Sequence, residues 1–227
     1  LSPLLSNIML NELDKELTRR GLPFVRYADD SMIFCKSKRA AKRVKESVTR
    51  FIEGKLHLKV NRDKTVVSYV QGVKYLGYSF YVMKGKCQLT VHPKAKSKMK
   101  AKLKELTSRS NGWGYAKRKQ KLEEYIKGWV GYYHLANMKR FLIETDEWLR
   151  RRLRMCIWKS WKRVKTRVAN LVKCGIDKNQ ACMWGNSRLG HWRIAGSYIL
   201  SRAITNEKLS MAGYATLMGS YIEWHPK

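Results

Sequence analysis

The sequence predicts an α+β chain: antiparallel hairpins and helices over residues 1–92, an all-helical bundle over residues 93–175, and a basic helical extension over residues 176–227. Three observations carry this. Residues 24–35 and 73–92 are short, apolar-rich and β-branched or aromatic, with turn-type residues at their centres, as hairpins require. From Pro93 onward apolar residues recur at helical spacing. The formal charge of +31, from 48 Lys+Arg against 17 Asp+Glu, is spread from Lys36 almost to the end.

The elements follow in order. Leu5, Ile8, Met9, Leu13 and Leu17 have helical spacing after Pro3, which suits a first turn, and Gly21 and Pro23 end that helix. Glu12, Asp14 and Glu16 read as charges on its solvated side. Phe24, Val25, Tyr27, Met32, Ile33 and Phe34 suit a buried hairpin with Asp29-Asp30 at the bend. Ser37 can cap a helix whose apolar stripe is Ala41, Val44, Val48, Phe51 and Ile52. Residues 56–60 and 65–70 alternate as strands around the turn at residues 61–64, and residues 73–82 and 86–92 form a second hairpin across Lys84-Gly85. Gly77, between aromatic residues, suggests close approach by another backbone.

In the second part, Ala95, Met99, Leu103 and Leu106 form a narrow seam through a lysine-rich helix. Leu122, Ile126, Trp129, Val130 and Tyr133 mark a second helix, and Phe141, Leu142, Trp148, Leu149, Leu153, Cys156 and Ile157 a third. Gly175 closes the helical run. Beyond it, a short helix over residues 194–204 and another over residues 209–224 are expected.

A chain of 227 residues can bury a sizeable core, and one this basic implies a polyanionic partner. Nucleic acid leads; anionic lipid is the rival, since a basic face beside apolar residues also suits it. The eight Trp and twelve Tyr interleaved with the cations favour bases and backbone phosphates. The five cysteines form no C-x-x-C pair, which reads as reduced core thiols rather than a zinc or disulfide framework. No apolar run is long enough to cross a bilayer, so no membrane role is expected.

The chemistry concentrates at Asp29 and Asp30. Adjacent carboxylates at a bend repel unless a cation lies between them, and the hard-oxygen ion that fits is Mg²⁺, held by a few carboxylates together with substrate phosphates. Such an arrangement supports phosphoryl or nucleotidyl transfer. Arg150, Arg151, Arg152 and Arg154, then Lys159, Lys162 and Arg163 among Trp158 and Trp161, form the candidate RNA-binding surface.

Tyr27-Ala28-Asp29-Asp30 resembles the Tyr-x-Asp-Asp box of reverse transcriptases, in the form typical of group II intron-encoded enzymes. Residues 1–10 resemble the second half of the block preceding that box, and Lys74-Tyr-Leu-Gly-Tyr78 resembles the primer grip. Gly128-Trp-Val-Gly-Tyr-Tyr133, followed by the Trp148 to Trp161 stretch, resembles the maturase-specific domain, or thumb. Residues 176–227 resemble the end of bacterial group II intron proteins lacking an endonuclease.

The resemblance implies a partial reverse-transcriptase palm followed by a thumb/maturase bundle. It implies Asp29 and Asp30 as catalytic Mg²⁺ ligands, and Tyr27, Ala28, Leu76, Gly77 and Tyr78 at the nucleotide and primer. It also implies Lys64 near the triphosphate, a position that reads equally as a plain surface lysine. The implied partners are intron RNA, an RNA template, a DNA primer and deoxynucleoside triphosphates, in bacterial cytoplasm, with a homodimer left open. The expected activity is RNA-directed DNA synthesis, with intron splicing and retrohoming. The chain begins at Leu1 inside a helix, so a preceding segment with the fingers and the family's third catalytic carboxylate is expected to be missing. Polymerisation by this chain alone is therefore expected to be weak. The alternative is a non-enzymatic splicing factor that stabilises folded intron RNA.

Overall fold

The computed structural model describes residues 2–225, so the reading of Leu1 lies outside the described residues. The fold is α+β, in two compact units, Leu1–Val82 and Met83–Lys227. The division falls ahead of Pro93, and residues 176–227 lie within the second unit.

In the first unit, α1 (Ser2–Arg19) leads into strands β1 (Phe24–Tyr27) and β2 (Asp30–Ile33), then α2 (Lys38–Gly54), a 3-10 turn at Val70–Gly72, and strands β3 (Lys74–Tyr75) and β4 (Tyr78–Met83). Ser37 caps α2 as its sequence indicates, its hydroxyl accepting from the Ala40 N–H at 3.1 Å. The core joins Leu13 and Leu17 of α1 to Val48 of α2, with Phe24, Ile33, Val44, Phe51 and Ile52 packed around them. Only the second half of the α1 stripe is used: Leu5, Ile8 and Met9 are exposed.

The hairpin is likewise buried on one face rather than both. Register places Phe24 opposite Ile33 on the inner face, while Val25, paired with Met32, and Tyr27, paired with Asp30, lie on the other. Val25, Tyr27 and Phe34 are exposed.

Residues 56–60 and 65–69 are not strands. His57 takes a left-handed φ of +53°, the Leu58 N–H bonds back to the Ile52 carbonyl, and Lys45 of α2 donates to the Thr65 carbonyl at 2.5 Å. The residues alternate, but the backbone N–H groups of Leu58 and Thr65 bond to the Ile52 carbonyl of α2 and the Asn61 carbonyl of a local turn, not to a neighbouring strand. Residues 73–82 are not one strand either. Leu76 and Gly77, with φ of +50° and +81°, make a two-residue turn between β3 and β4, with Tyr75 paired to Tyr78. Positive φ at both central positions is the type I′ signature, so Gly77 serves the turn itself.

The second unit opens with β5 (Lys86–Val91), preceded by Lys84 and Gly85, both at positive φ. It continues as α3 (Pro93–Leu106), α4 (Tyr115–Tyr133), α5 (Lys139–Ser160), α6 (Val164–Lys173), α7 (Lys178–Gly185), α8 (His191–Ala195), α9 (Tyr198–Ala203), α10 (Asn206–Met211) and α11 (Leu217–Glu223). The expected seams are buried at Met99, Leu103 and Leu106 of α3, Leu122, Ile126 and Val130 of α4, and Leu142, Leu149, Leu153 and Cys156 of α5, while Ala95, Trp129, Tyr133, Phe141, Trp148 and Ile157 are half-buried. Gly175, at φ +87°, completes a Schellman ending to α6: its N–H bonds to the Val172 carbonyl and that of Ile176 to Leu171.

The expected helix over residues 194–204 is two, α8 and α9, broken at Gly196. A side chain there would collide with Arg151, since a Cβ would lie 2.5 Å from its guanidinium carbon. The region from residue 209 to residue 224 is likewise broken by Gly213 at φ +83°. Of the cysteines only Cys156 is buried; Cys87 and Cys182 are exposed, and all five are free thiols.

Asp146 of α5 ties the last helix to the bundle. Its carboxylate accepts from the Leu217 and Met218 N–H groups at 2.8 and 2.9 Å, capping α11 where unsatisfied donors converge. Burial pushes its carboxyl up from the ordinary value, against the pull of those two hydrogen bonds. A raised folded-state value means the folded protein binds a proton more readily than the unfolded chain. The Asp146 contribution to stability is therefore full below its unfolded value and lost as pH rises through the folded one. Urea midpoints measured between pH 3 and 7 should show this slope in the second unit, and Asp146→Asn should flatten it.

Candidate functional site

The hairpin tip is positioned by Arg26. It shares the inner face of β1 with Phe24, so its guanidinium is drawn under the hairpin toward α1. Nε and Nη2 donate to the two carboxylate oxygens of Asp14 at 2.8 and 2.5 Å, and Nη1 donates to Asn7 Oδ1 and to the Ala28 carbonyl, each at 2.9 Å. One planar side chain thus links two residues of α1 to the turn itself. The Asp14 hydrogen bond holds the Arg26 guanidinium above its ordinary value, only partly offset by burial. Asp14 is therefore a structural partner and not a solvated charge.

The turn residues are Ala28 and Asp29, with Asp30 already in β2 opposite Tyr27. Ala28 adopts φ +51°, while Asp29 keeps negative φ, the pattern of a type II′ turn. The bend is thus one residue earlier than the Asp-Asp pair suggested. Asp29 and Asp30 are both exposed, and among the described residues no hydrogen bond or ion pair engages either carboxylate. The Tyr75 hydroxyl of β3 reaches the Asp30 carbonyl at 3.4 Å. Burial, and then the Asp30 charge, push the Tyr75 phenol up from its ordinary value.

Leu76, Gly77 and Tyr78 follow Tyr75 directly, so the structure brings this turn region into connection with the hairpin tip through Tyr75. Lys64 lies in an Asx-type turn: its N–H donates to Asn61 Oδ1 at 3.1 Å, and its side chain is exposed. No hydrogen bond or ion pair joins it to Asp29 or Asp30 among the described residues.

The candidate RNA-binding residues separate sharply. Arg152 is buried and donates to Thr107 Oγ1 at 2.5 Å and to the carbonyls of Lys104 and Thr107, closing the C-terminus of α3. Arg154 is buried and donates to the Ile204 carbonyl and Asn206 Oδ1. For both, burial lowers the guanidinium from its ordinary value. Their Nε and Nη2 donors are thus spent on internal acceptors. Arg151 donates to the Trp192 carbonyl and lies 4.1 Å from that ring's centroid. Lys159 donates to the Arg109 carbonyl at 2.7 Å. Arg150 lines a shallow recess of about 320 Å³ with Glu147, Arg154 and Glu207, while Lys162 and Arg163 are exposed. Trp158 and Trp161 are buried against each other, centroids 5.8 Å apart, so they pack rather than stack on bases.

Residues 1–80 match the family described as reverse transcriptase (RNA-dependent DNA polymerase), and residues 96–175 match the group II intron, maturase-specific domain. A hairpin with a free acidic tip, continued by a basic helical unit, is thus a protein of the reverse transcriptase class. Within that class the chain belongs to the group II intron reverse transcriptase/maturase family. Protein YkfC of Escherichia coli (strain K12) is similar to it at 31% identity, over 34% of this chain and 30% of that relative, so the chain covers less than a third of the relative's length.

Sequence reasoning missed Arg26, Asp14 and Tyr75. The signal available was an arginine on the same side of β1 as Phe24, where only a paired charge is tolerated. Arg26→Ala should cost on the order of 2 kcal/mol in urea unfolding, the scale of a charged hydrogen-bonded pair. It should also speed amide exchange at residues 28–31 selectively.

Proposed function

We propose that the chain carries the acidic hairpin of a group II intron reverse transcriptase and the RNA-binding unit of its maturase, serving template-directed DNA synthesis, intron splicing and retrohoming. The reading rests on Asp29 and Asp30. They are exposed at a hairpin tip clamped by Arg26, and among the described residues no cation pairs with either, although the chain carries +31.

Two uncommitted carboxylates fit Mg²⁺, which binds one or two such groups and completes its shell with phosphates and water. When bound, the ion would lower the pKa of a primer 3′-hydroxyl and offset charge on the triphosphate. Asp29 and Asp30 would hold it. Tyr27 and Ala28 would border the primer end and incoming deoxynucleotide, and Leu76, Gly77 and Tyr78 would grip the primer. Lys64, on its exposed turn, would approach the leaving phosphates. Arg150, Lys159, Lys162 and Arg163 would be among the phosphate contacts of the second unit. Among the described residues no third His, Cys, Asp or Glu completes a metal-binding group with these two, so primer extension by this chain alone is expected to be weak.

A second reading, a non-enzymatic splicing factor for folded intron RNA, is favoured by the exposed cations of the second unit. Titration with Mn²⁺ as a paramagnetic stand-in separates them. The enzyme reading expects selective broadening of amide resonances at residues 28–31, lost in Asp29→Ala and Asp30→Ala, with RNA affinity changed less than about twofold. Absence of broadening with RNA binding intact would favour the splicing factor.

A further inference from the structure

The second unit gathers cations from four segments around His191. Arg109, in the loop after α3, places Nη1 3.4 Å from His191 Nδ1. Lys159, near the end of α5, is tied to the Arg109 carbonyl. Arg167 of α6 donates to the Trp161 carbonyl at 3.0 Å and lies 4.9 Å from the Trp158 ring centroid. His191 opens α8 and is followed by Trp192, whose ring is 39% exposed beside Arg151.

These groups are held by carbonyls and rings, and among the described residues no carboxylate pairs with them. Six of the nine acidic residues of the unit are used elsewhere: Glu105, Glu123, Glu124 and Glu144 pair with cations on their own helices, while Asp146 and Asp177 cap α11 and α7. Like charges fixed near one another without a counter-charge raise the free energy of the unbound state, and an anion seated among them relieves it. Lys159 spends one donor on Arg109, and Arg167 spends Nε on Trp161, leaving further N–H groups for a ligand.

We propose that Arg109, Lys159, Arg167 and His191 form a binding site for a phosphodiester of single-stranded RNA, with Trp192 the next residue along α8. The site deepens the RNA-binding reading given above and rests on it. RNA is the occupant because Arg109, Lys159 and Arg167 lie within the stretch that matches the group II intron maturase-specific domain, and because the half-exposed Trp192 follows His191 directly in α8, a ring that single-stranded nucleic acid can use and a lipid headgroup does not need. His191 makes the site responsive to pH. Burial first, then Arg109, Arg167 and Lys159, lower its pKa from the ordinary imidazole value, so it is neutral in the free chain at pH 7. A bound phosphate reverses the electrostatic part of that shift, and binding takes up a proton. Affinity therefore rises as pH falls below neutral, and levels off once His191 is protonated in the free chain too.

The test uses the whole chain, a twelve-nucleotide oligouridylate, inorganic phosphate and phosphatidylglycerol vesicles. His191 is assigned in imidazole NMR spectra by its loss in His191→Gln. The expected results are an upward shift of the His191 titration on adding RNA, and its rise in free Arg109→Gln. RNA affinity should fall several-fold in Arg109→Gln, with the slope of log K against log salt smaller by about 0.7, the value for one single-strand phosphate contact. Thermal melting should show that variant folded; if it is not, His191→Gln, expected to abolish the pH dependence of RNA affinity, decides in its place. Inorganic phosphate should reproduce the His191 shift only at far higher concentration. Tight RNA binding with an unmoved His191 and an unchanged salt slope would overturn this site while leaving the RNA-binding reading intact. Failure of the whole chain to bind RNA would overturn both. A shift produced by vesicles but not by RNA would assign the cluster to lipid and overturn the proposal.

Discussion

Arg26 is the constraint on which the acidic tip depends. An arginine on the buried face of a short strand is unfavourable unless every part of its fork finds an acceptor. Here Asp14, Asn7 and the Ala28 carbonyl supply them. The consequence reaches the turn: a type II′ bend with a non-glycine residue at positive φ is strained, and the bond to the Ala28 carbonyl helps hold it. A four-residue hairpin on its own would be marginal, and its tip would sample many orientations. Clamped to α1, it presents Asp29 and Asp30 in a fixed place, as the proposed metal site requires.

The second unit solves a related problem along α5. That helix is cationic in sequence, yet two of its arginines are used as internal caps. Arg152 closes α3, and Arg154 fixes the start of α10 through Asn206. Asp146, on the same helix, caps α11. Helix ends buried in a bundle leave carbonyl and amide groups that water cannot reach. A charged side chain from a neighbouring helix satisfies several at once, and in exchange its own charge is solvated by peptide dipoles.

This explains which parts were legible. The apolar seams of α3, α4 and α5 and the caps at Ser37 and Gly175 depend on local spacing, and they stand where the sequence placed them. Arg152 could have been read correctly, because it lies three residues after Leu149 and four before Cys156, on the stripe that is buried. Arg154 could not, since its acceptor at Ile204 is fifty residues away. The alternation over residues 56–60 suggested a strand because local pattern records which residues avoid water, not whether a neighbouring strand exists to pair with. At the candidate site, the Tyr-x-Asp-Asp tetrapeptide was legible as a unit, whereas its clamp was hidden because Asp14 belongs to a different element.

The distribution of acids gives the charge of the chain its meaning. A chain at +31 could have scattered its few carboxylates evenly to lower self-repulsion. Instead, in the second unit, many are consumed within a turn of a lysine or arginine on the same helix, where each exposed pair contributes little stability. Others cap helix ends, where their carboxylates accept from backbone N–H groups. Both uses neutralise the acids locally and leave cations from separate helices facing one another without compensation. Folding brings these cations together, so their repulsion is greater in the native unit than in the extended chain. A polyanion that binds the native unit removes that excess, coupling RNA binding to the stability of the bundle. The surface is thus basic by arrangement as well as by composition.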